Sequence, residues 1–547
     1  MKRQLEQMAT KEYDVLIIGG GINGTAVARD AALRGLRTAL VEKEDFGYGT
    51  TSRSTRLIHG GLRYLEHFDF GLVREGLRER EVLLKTAPHL VKPLPFLVPV
   101  YKGDRVGIPK LRAGMILYDL LSWDKSMPSH RFLKVQEALE KEPLLNSENL
   151  VGAMVYYDGQ VEMPERVSVE NVLQAAEHGA DIANHALVEK YLMDGARVVG
   201  ARVRDLLTDK VYDVKAKFVV NAAGPWIDEM NSKLLEKYRP RMRLTKGIHL
   251  LIPQIVNHAI VLLAQSDGRL FFAVPYQGYT LIGTTDTDYA GDLDDIRATR
   301  DEVEYLVAET RRVFPSLPTD EIYYTTAGLR PLVRVEGKSE GATSRKHKIV
   351  DHAQDGYDGL LSLLGGKITS QRFFAEQTVD LITKRMGLKV PSPTRTKPFY
   401  GGDFDDLTRL QDEVVREYEG KHGLTEEQIR RVVGLYGSKG PGILEMAASD
   451  GELAKPVTEG SLVLTAEVAY SVEHEMAVTT TDFLMRRSGL GLVAGQGMAE
   501  APHVAAILGR LLGRDAEEVA RDLEEYKAYV AMMQEGIEKR PVSELAN

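Results

Sequence analysis

The sequence contains no cysteine among its 547 residues. This absence excludes disulfides, thiolate nucleophiles, iron–sulfur clusters, cysteine-ligated zinc and cysteinyl-flavin links. Any redox chemistry must therefore come from a bound organic cofactor. An excess of positive charge is also lacking, since 70 Lys and Arg stand against 79 Asp and Glu, a formal charge of −9. This balance disfavours attachment to a polyphosphate backbone, so we expect no nucleic-acid partner.

Long apolar runs are absent as well. The most apolar stretch, residues 249–264, is interrupted by Pro253 and three polar residues. We therefore expect no spanning helix, which excludes a transmembrane quinone reductase. Residues 1–11 are polar and lack an apolar core segment, so we expect no signal peptide and a cytoplasmic location. The remaining composition, 43% hydrophobic and 27% charged, is that of a globular chain of two or three domains.

A strand, a glycine turn and a helix open the chain. Val15 to Ile18 is an aliphatic run typical of a buried parallel strand, and alanine and aliphatic residues recur at helical spacing after the turn. Gly19, Gly21 and Gly24 match G-x-G-x-x-G, which permits the tight turn, close approach to a pyrophosphate and close helix packing. The helix N-terminus, with Asn23 in its first turn, then faces the phosphate.

The second strand ends in an acid. Thr38 to Val41 is followed by Glu42, 18 positions after Gly24. A carboxylate at this point accepts both hydroxyls of an adenosine ribose and repels a 2′-phosphate. The unit therefore favours FAD or NAD over NADP, and a βαβ unit that binds no ligand is the alternative.

The next segment mixes hydroxyls, glycines and arginines. Thr50, Thr51, Ser52 and Ser54 can donate to phosphate oxygens or to a cofactor ring. For each of them, an N-cap or turn residue is the alternative interpretation. The following GGLRYLEH places Arg63 and Tyr64 side by side near this loop, although a surface pair of Arg63 with Glu66 would also fit the spacing.

Two later segments repeat the strand, small-residue turn and helix start. The first makes Ala223, Gly224 and Trp226 candidate cofactor contacts, because small residues let a nucleotide approach the end of a strand. The second, LLGGKITS, offers Lys367 beside a helix start, where positive charge suits a reduced flavin or an anionic substrate. A structural turn is the alternative for both segments.

The rest of the chain divides into a sheet region and a helical region. Residues 239–345 alternate with a period of two and predict a mostly antiparallel sheet, whereas helical spacing predominates after about residue 390. Residues 92–134 are basic and apolar; this surface suits contact with a membrane, and an ordinary core face is the alternative. Glu473, His474 and Glu475 resemble metal ligands, but we interpret them as a solvated helix face and expect no metal.

Four segments in this order resemble the FAD-dependent glycerol-3-phosphate dehydrogenase family: IIGGGINGTAVARDAALRG, RLIHGGLRYLEH, GTTD followed by GLRPL, and LLGGKITS. The resemblance spans residues 14–387, and the trailing helices are similar in kind. It implies a fold similar to D-amino-acid oxidase, combining an α/β Rossmann-type unit with an α+β unit. The implied domains are an FAD-binding domain of residues 1–90, 150–238 and 346–390, a substrate domain of residues 91–149 and 239–345, and a helical domain of residues 391–547.

The resemblance also implies a reaction. FAD would oxidise sn-glycerol 3-phosphate to dihydroxyacetone phosphate, with hydride transfer from C2 to flavin N5. Electrons would pass to a quinone at the inner face of the cell membrane, where the protein would be peripheral. A glycerophosphate oxidase that uses oxygen stays open, as does a non-catalytic flavin-binding regulator; an amine or amino-acid oxidase would lack the phosphate-binding residues. Homo-oligomerisation stays open.

The site residues follow from the same resemblance. The implied phosphate-binding residues are Arg63, Tyr64, Arg330 and Lys367. His249 is the implied base, with Arg330 and Lys367 beside it as catalytic residues, and His59 is the alternative base. His59 fits a cofactor contact better. The further implied cofactor contacts are Gly60, Gly366, Lys367, Ile368 and Thr369. Thr285 and Asp286 of GTTD are pocket candidates without an assigned role.

Overall fold

The computed structural model describes residues 1–334, 343, 344 and 346–537, apart from the side chains of residues 63, 66, 67, 343 and 344. The strands are β1 (Glu12–Ile18), β2 (Thr38–Val41), β3 (Leu57–Ile58), β4 (Val91–Tyr101), β5 (Arg131–Leu133), β6 (Leu150–Val161), β7 (Asp181–Ala183), β8 (Ala186–Asp194), β9 (Arg197–Asp205), β10 (Val211–Asn221), β11 (Met242–Pro253), β12 (Ala259–Leu263), β13 (Leu270–Tyr276), β14 (Tyr279–Gly283), β15 (Thr287–Asp288), β16 (Tyr324–Arg334), β17 (Thr343–Ser344), β18 (Lys348–Asp351) and β19 (Leu360–Leu364). The α-helices are α1 (Leu5–Ala9), α2 (Ile22–Leu33), α3 (Phe70–Thr86), α4 (Ile108–Leu121), α5 (Val135–Lys141), α6 (Pro164–Glu177), α7 (Ile227–Leu234), α8 (Arg300–Arg311), α9 (Gln371–Arg385), α10 (Leu407–Tyr418), α11 (Glu426–Tyr436), α12 (Gly440–Ser449), α13 (Gly451–Ala454), α14 (Thr465–Glu475), α15 (Thr480–Arg486), α16 (Ala501–Leu512) and α17 (Ala516–Gln534).

The first sheet has β1 at its centre. Its order is β18-β19-β10-β1-β2-β7, and the antiparallel hairpin of β8 and β9 extends β10. β1, β2, β10 and β19 run parallel, so their carboxyl ends lie at one edge. The aliphatic residues of β1 are buried because α2, α6 and α9 cover one face of the sheet. The three strand–turn–helix segments of the sequence therefore meet at that edge.

The second sheet is mostly antiparallel, as the two-residue alternation predicts. Its order is β17-β16-β11-β14-β13-β12-β4-β6-β3. A large apolar core lies against it, formed by residues of β11 to β14 together with residues of β4, β6 and α8. β6 is part of this sheet because it pairs along its length with β4, although the expected boundary at residue 150 places it in the FAD-binding domain.

Helices α10 to α17 form the C-terminal region, so the predicted combination of an α/β unit, a sheet-based unit and a helical unit is confirmed. Buried ion pairs join this region to the first sheet: Asp45, in the loop after β2, accepts from Arg486 at 2.7 Å and from Arg487 at 2.8 Å. Within the described residues, no helix is both long enough and apolar enough to cross a bilayer.

The interpretation of residues 473–475 as a solvated helix face is wrong for its last member. Glu473 and His474 are exposed, but Glu475 is fully buried. Its carboxylate accepts from Arg166 at 2.5 Å and lies 3.4 Å from Arg487. The reason is the partner: two arginines more than ten positions away in sequence neutralise the buried charge, and local helix periodicity does not register them.

Candidate active site

A cavity of about 760 Å³ opens at the carboxyl edge of the first sheet and is lined by residues of both sheets. Its volume lies within the range of small-molecule sites. The predicted site residues that line it are Gly19, Gly21, Asn23, Glu42, Thr50, Thr51, Ser54, His59, Tyr64, Ala223, Gly224, Trp226, His249, Arg330, Gly366, Lys367, Ile368 and Thr369. The side chain of Arg63 lies outside the described part of the chain.

Three predicted cofactor residues lie behind the cavity wall. A Cβ on Gly24 would overlap the carbonyl of Gly19, so this glycine serves the close packing of α2. The Ser52 hydroxyl donates to the carbonyl of Tyr48 at 2.9 Å and caps the loop. The Gly60 amide donates to the hydroxyl of Tyr118 at 3.1 Å. These residues shape the loops that carry the cavity wall.

The nucleotide end of the cavity fits a pyrophosphate and an adenosine ribose. Gly21 is the N-cap of helix α2 and has no side chain of its own to cap it, so the positive end of the helix dipole faces the cavity edge that Gly21 and Asn23 line. Asn23 donates to the carbonyl of Gly365 at 3.2 Å, while its Oδ1 is buried and has no hydrogen-bond partner among the described residues. A buried acceptor of this kind suits a ligand donor.

Glu42 lies at the end of β2, where the sequence predicts a ribose acceptor. Its carboxylate accepts from the amides of Gly20 and Glu44, the latter at 2.8 Å. Burial raises the pKa of the Glu42 carboxyl. Beyond it, apolar side chains of β8, the loop after β9 and α7 form a slot suited to an adenine ring: Leu187, Val188, Leu206, Met230 and Leu234. The residues present therefore fit FAD.

Asp294 crosses from the second sheet region to the nucleotide end. Its carboxylate accepts from Lys43, next to Glu42, at 2.7 Å and from the indole of Trp226 at 3.0 Å. All three residues line the cavity. The hydrogen bonds of Asp294 to Lys43 and Trp226 thus tie the loop after β2 to the turn after β10 at the cavity wall. Asp294 is not predictable from the sequence, because no residue near it in sequence indicates either partner.

The loop hydroxyls are held by backbone groups. Thr50 donates to the carbonyl of Leu329 at 2.7 Å, and Thr51 accepts from the amide of Ile22 at 3.0 Å. Ser54 donates to the carbonyl of Thr51 at 3.2 Å. These bonds fix the loop after β2 against α2 and β16. Thr50 and Ser54 spend their hydroxyl protons on backbone carbonyls, whereas Thr51, which accepts, keeps a proton that it can donate toward the cavity.

Arg330 projects from β16 into the cavity. Its Nη2 donates to the hydroxyl of Thr284 at 2.7 Å and to the carbonyl of Thr285 at 3.0 Å, and Nη1 lies 3.4 Å from Asp286. The GTTD segment, whose role the sequence leaves unassigned, therefore orients this guanidinium. Since the side chain keeps 26% exposure, its planar fork is accessible from the cavity.

Lys367 and Tyr64 meet at the cavity wall. The Lys367 ammonium lies 4.0 Å from the centroid of the Tyr64 ring, a cation–π contact that fixes the flexible lysine side chain. Thr369, two residues further on, accepts from the amide of His59 at 3.1 Å. The structure thus brings together the loop after β19 and the loop around Tyr64, which are far apart in sequence.

His249 lies on β11, buried with 2% exposure. Burial, together with the positive charges of Arg330 and Arg56, lowers the pKa of His249 to about 3. The imidazole is therefore neutral at physiological pH. Its Nε2 lies 2.9 Å from the hydroxyl of Thr55, a residue that the sequence analysis missed. His59 also lines the cavity and lies edge-on to Phe272, with ring centroids 6.3 Å apart.

Two glycines on the second sheet make room for these groups. A Cβ on Gly247 would overlap Nη2 of Arg330, and one on Gly283 would overlap the ring of His249. Gly247 lies inside β11 and Gly283 ends β14, and a glycine in a strand marks a close approach. That signal is present in KGIHLL and LIGTT and could have identified them from the sequence.

The fold and the cavity define a flavin-dependent oxidoreductase. Residues 14–372 match the family model of FAD-dependent oxidoreductases, and residues 392–519 match that of the C-terminal domain of alpha-glycerophosphate oxidase. FAD is thus the cofactor, in agreement with the fit of the nucleotide end.

Similar proteins narrow the class. A glycerol-3-phosphate dehydrogenase of Synechocystis is 38% identical over 96% of this chain and 98% of its own. An aerobic glycerol-3-phosphate dehydrogenase of Staphylococcus haemolyticus is 37% identical, covering 88% of each. The structure of the Bacillus halodurans glycerol-3-phosphate dehydrogenase with FAD is similar at a TM-score of 0.81, with 32% identity, covering 98% of this chain and 97% of that one. The chain belongs to the FAD-dependent glycerol-3-phosphate dehydrogenase family.

Proposed function

We propose that this protein oxidises sn-glycerol 3-phosphate to dihydroxyacetone phosphate and delivers the electrons to a membrane quinone. The observation that carries the proposal is the convergence of Arg330, Lys367 and Tyr64 with a neutral, buried His249 in one cavity. A cationic set binds the phosphate dianion, and an uncharged imidazole accepts a proton. A phosphate dianion carries two negative charges where an amino-acid carboxylate carries one, so this set is better matched to a phosphate.

The phosphate is held by different kinds of donor. Arg330 contributes the delocalised positive charge of its guanidinium group, and Lys367 contributes a point charge. The Tyr64 hydroxyl adds a directed hydrogen bond. Thr284 and Thr285 hold the Arg330 fork in place before substrate arrives, so less conformational entropy is lost on binding. Arg63, outside the described side chains, stays a predicted member of this set.

Oxidation of a secondary alcohol removes a hydride from carbon and a proton from oxygen. FAD, when bound, supplies the acceptor for the hydride. His249 takes the hydroxyl proton, because its ring is neutral and lines the cavity that also holds the phosphate-binding residues. Arriving phosphate also places negative charge near Arg330, which offsets one of the charges that lower the pKa of His249.

An exposed apolar patch is the surface proposed to contact the membrane and its quinone. This patch consists of Phe68, Phe70, Ile116, Leu120 and Trp123, of which Phe68 is 78%, Leu120 65% and Trp123 77% exposed. Exposed Lys110 and Arg112 on α4 add positive charge suited to anionic lipid headgroups. The patch adjoins the 3-10 helix Leu62–His67, whose Leu62 and Tyr64 line the cavity. A lipid-dissolved acceptor bound here would lie near the cavity, on the cytoplasmic side.

Steady-state turnover tests the proposal. Glycerol 3-phosphate should be oxidised with a soluble quinone as acceptor, while unphosphorylated glycerol, glycine and proline should not. Rapid turnover with oxygen alone would instead identify an oxidase. Turnover of an amino acid in place of glycerol 3-phosphate would identify a different oxidase, and tightly bound FAD without turnover of any of these substrates would identify a flavin-binding regulator.

A further inference from the structure

The ring of His249 is held on three sides. In the second sheet His249 pairs with Gly283 of β14 and with Thr326 of β16. The missing side chain of Gly283 leaves space for the ring. Thr326, directly opposite on the neighbouring strand, has its hydroxyl 3.5 Å from Nδ1, and Thr55 has its hydroxyl 2.9 Å from Nε2. Each ring nitrogen therefore faces one threonine hydroxyl.

The two hydroxyls lie on different sides of the ring. Thr55 lines the large cavity together with His249. Thr326 does not line that cavity; it borders a separate pocket of about 30 Å³ between β16 and the C-terminal helices, with Arg53 and Tyr529 among its neighbours. Nε2 is thus the cavity-side nitrogen, and Nδ1 points toward the interior of the protein.

A neutral imidazole carries one N–H and one lone pair, so the tautomer decides which nitrogen can act as a base. With the proton on Nε2, the lone pair would face Thr326, away from any substrate. With the proton on Nδ1, the lone pair faces the cavity. The Thr326 hydroxyl is able to accept a hydrogen bond from Nδ1–H. Because the ring is buried and neutral, this hydrogen bond orients it.

We propose that Thr326 is a positioning residue, which accepts the Nδ1–H bond of His249 and so selects the tautomer whose Nε2 accepts the substrate's proton. In the substrate-free protein the Thr55 hydroxyl donates to Nε2 and occupies the place of an alcohol hydroxyl. On oxidation, the proton of the C2 hydroxyl moves to Nε2, the O–H bond breaks, and the imidazolium keeps its bond to Thr326. The hydride passes to FAD. That the proton comes from the C2 hydroxyl of glycerol 3-phosphate rests on the proposed function.

The groups that face the ring set the cost of this proton transfer. Arg330 and Arg56 both disfavour the imidazolium, and no carboxylate of the described residues hydrogen-bonds to His249. A neutral hydroxyl orients the ring without raising the pKa of His249 as a carboxylate would. The tautomer is therefore selected by Thr326, whereas the charge of the bound phosphate stabilises the protonated state.

Nitrogen-15 NMR of the FAD-loaded protein with labelled histidine tests the tautomer directly, with the His249→Asn variant to assign the signals. We expect a protonated Nδ1 and an unprotonated Nε2. In the Thr326→Val variant, which keeps the shape of the side chain, the proton should redistribute toward Nε2. The rate of flavin reduction at saturating glycerol 3-phosphate should fall at least tenfold while KM changes less than twofold. Thr326→Ser should restore both properties.

Thr325→Val is the matched control. Thr325 lies next to Thr326 on the opposite face of β16, and its hydroxyl donates to the carbonyl of Met533 at 3.0 Å. This variant loses a hydrogen bond of the same kind without touching His249, so its tautomer and reduction rate should stay those of the wild type. A protonated Nε2 in the wild type, or a Thr326→Val variant with wild-type tautomer and rate, would overturn the proposal. Failure of glycerol 3-phosphate to reduce the flavin would instead contradict the proposed function, since the tautomer is read without substrate.

Discussion

Gly247 lies directly beneath the guanidinium group of Arg330. The two residues are on adjacent strands, β11 and β16, and a side chain on Gly247 would overlap both Nη2 of Arg330 and the hydroxyl of Thr284. These two atoms form a hydrogen bond of 2.7 Å. The absence of a side chain at Gly247 therefore makes room for the phosphate-binding fork and the residue that orients it.

Replacing Gly247 by alanine should displace the Arg330 fork. We expect KM for glycerol 3-phosphate to rise about tenfold, the equivalent of about 1.4 kcal/mol, with FAD content unchanged because the added Cβ meets Arg330 and Thr284. Steady-state kinetics and the flavin-to-protein absorbance ratio provide the measurement. Gly114→Ala on α4, where a Cβ meets nothing within 4 Å, is the control. A Gly247→Ala variant with wild-type KM would contradict the arrangement.

Replacing Arg330 by alanine should remove the main phosphate ligand. Loss of a charge-assisted contact should cost about 2–4 kcal/mol in kcat/KM, about 30- to 900-fold, chiefly through KM. FAD content should stay unchanged. Arg243→Ala, at a half-buried arginine of β11 paired with Asp288, is the matched control and should leave kcat/KM unaltered. An unchanged kcat/KM in Arg330→Ala would remove this residue from the site.

The dinucleotide-binding unit and the antiparallel strands could be predicted from local sequence patterns. The strand, glycine turn, helix and Glu42 are adjacent in sequence, and their spacing determines a parallel unit that binds a dinucleotide. The alternation in residues 239–345 likewise predicts β11 to β14, since the side-chain period of a strand is fixed by its backbone.

Pairing across long separations could not be predicted in this way. Thr326 reaches His249 only through the register of β11 with β16, and Asp45 meets Arg487 across 442 positions. Glu475 is buried for the same reason, because its partner Arg166 lies on α6. Register and ion pairing of this kind depend on the whole fold, and a sequence read locally contains no signal for them.

Glu42 should control FAD affinity. Its carboxylate faces the nucleotide end of the cavity, and a hydrogen bond to a charged group contributes about 1.5–3 kcal/mol. We therefore expect Glu42→Ala to weaken FAD binding about 10- to 150-fold, measured by titrating the apoprotein with FAD and following the quenching of flavin fluorescence. Glu12→Ala, at the exposed start of β1, is the control. Equal affinities in the two variants would contradict the ribose assignment.

The pH dependence of kcat/KM should lack an ionisation of His249 in the neutral range. This profile reports the free protein and free substrate, and the pKa of His249 in the free protein is lowered to about 3. On lowering the pH, kcat/KM should fall once, as the substrate phosphate gains a proton at about pH 6. A second ionisation near the ordinary histidine value, giving a steeper acid limb, would contradict a buried neutral His249.

The apolar patch should bind membranes. Replacing both Leu120 and Trp123 by serine removes two exposed side chains, each of which contributes about 1.5–3 kcal/mol when buried in an apolar environment. Co-sedimentation with anionic lipid vesicles should fall at least tenfold, while turnover with a water-soluble quinone stays unchanged. The double variant of Leu388 and Leu511 to serine, which alters exposed leucines elsewhere, is the control. Equal sedimentation of both variants would place the membrane contact on another surface.

The central claim is that the cavity combines a phosphate-binding set, a neutral base and FAD for one reaction. An anaerobic titration of the FAD-loaded protein with glycerol 3-phosphate, following the visible absorbance of the flavin, tests it most directly. We expect the oxidised band to disappear on adding glycerol 3-phosphate and to persist with glycerol, because only the phosphate engages Arg330 and Lys367. A band that persists with glycerol 3-phosphate at every concentration would contradict the account.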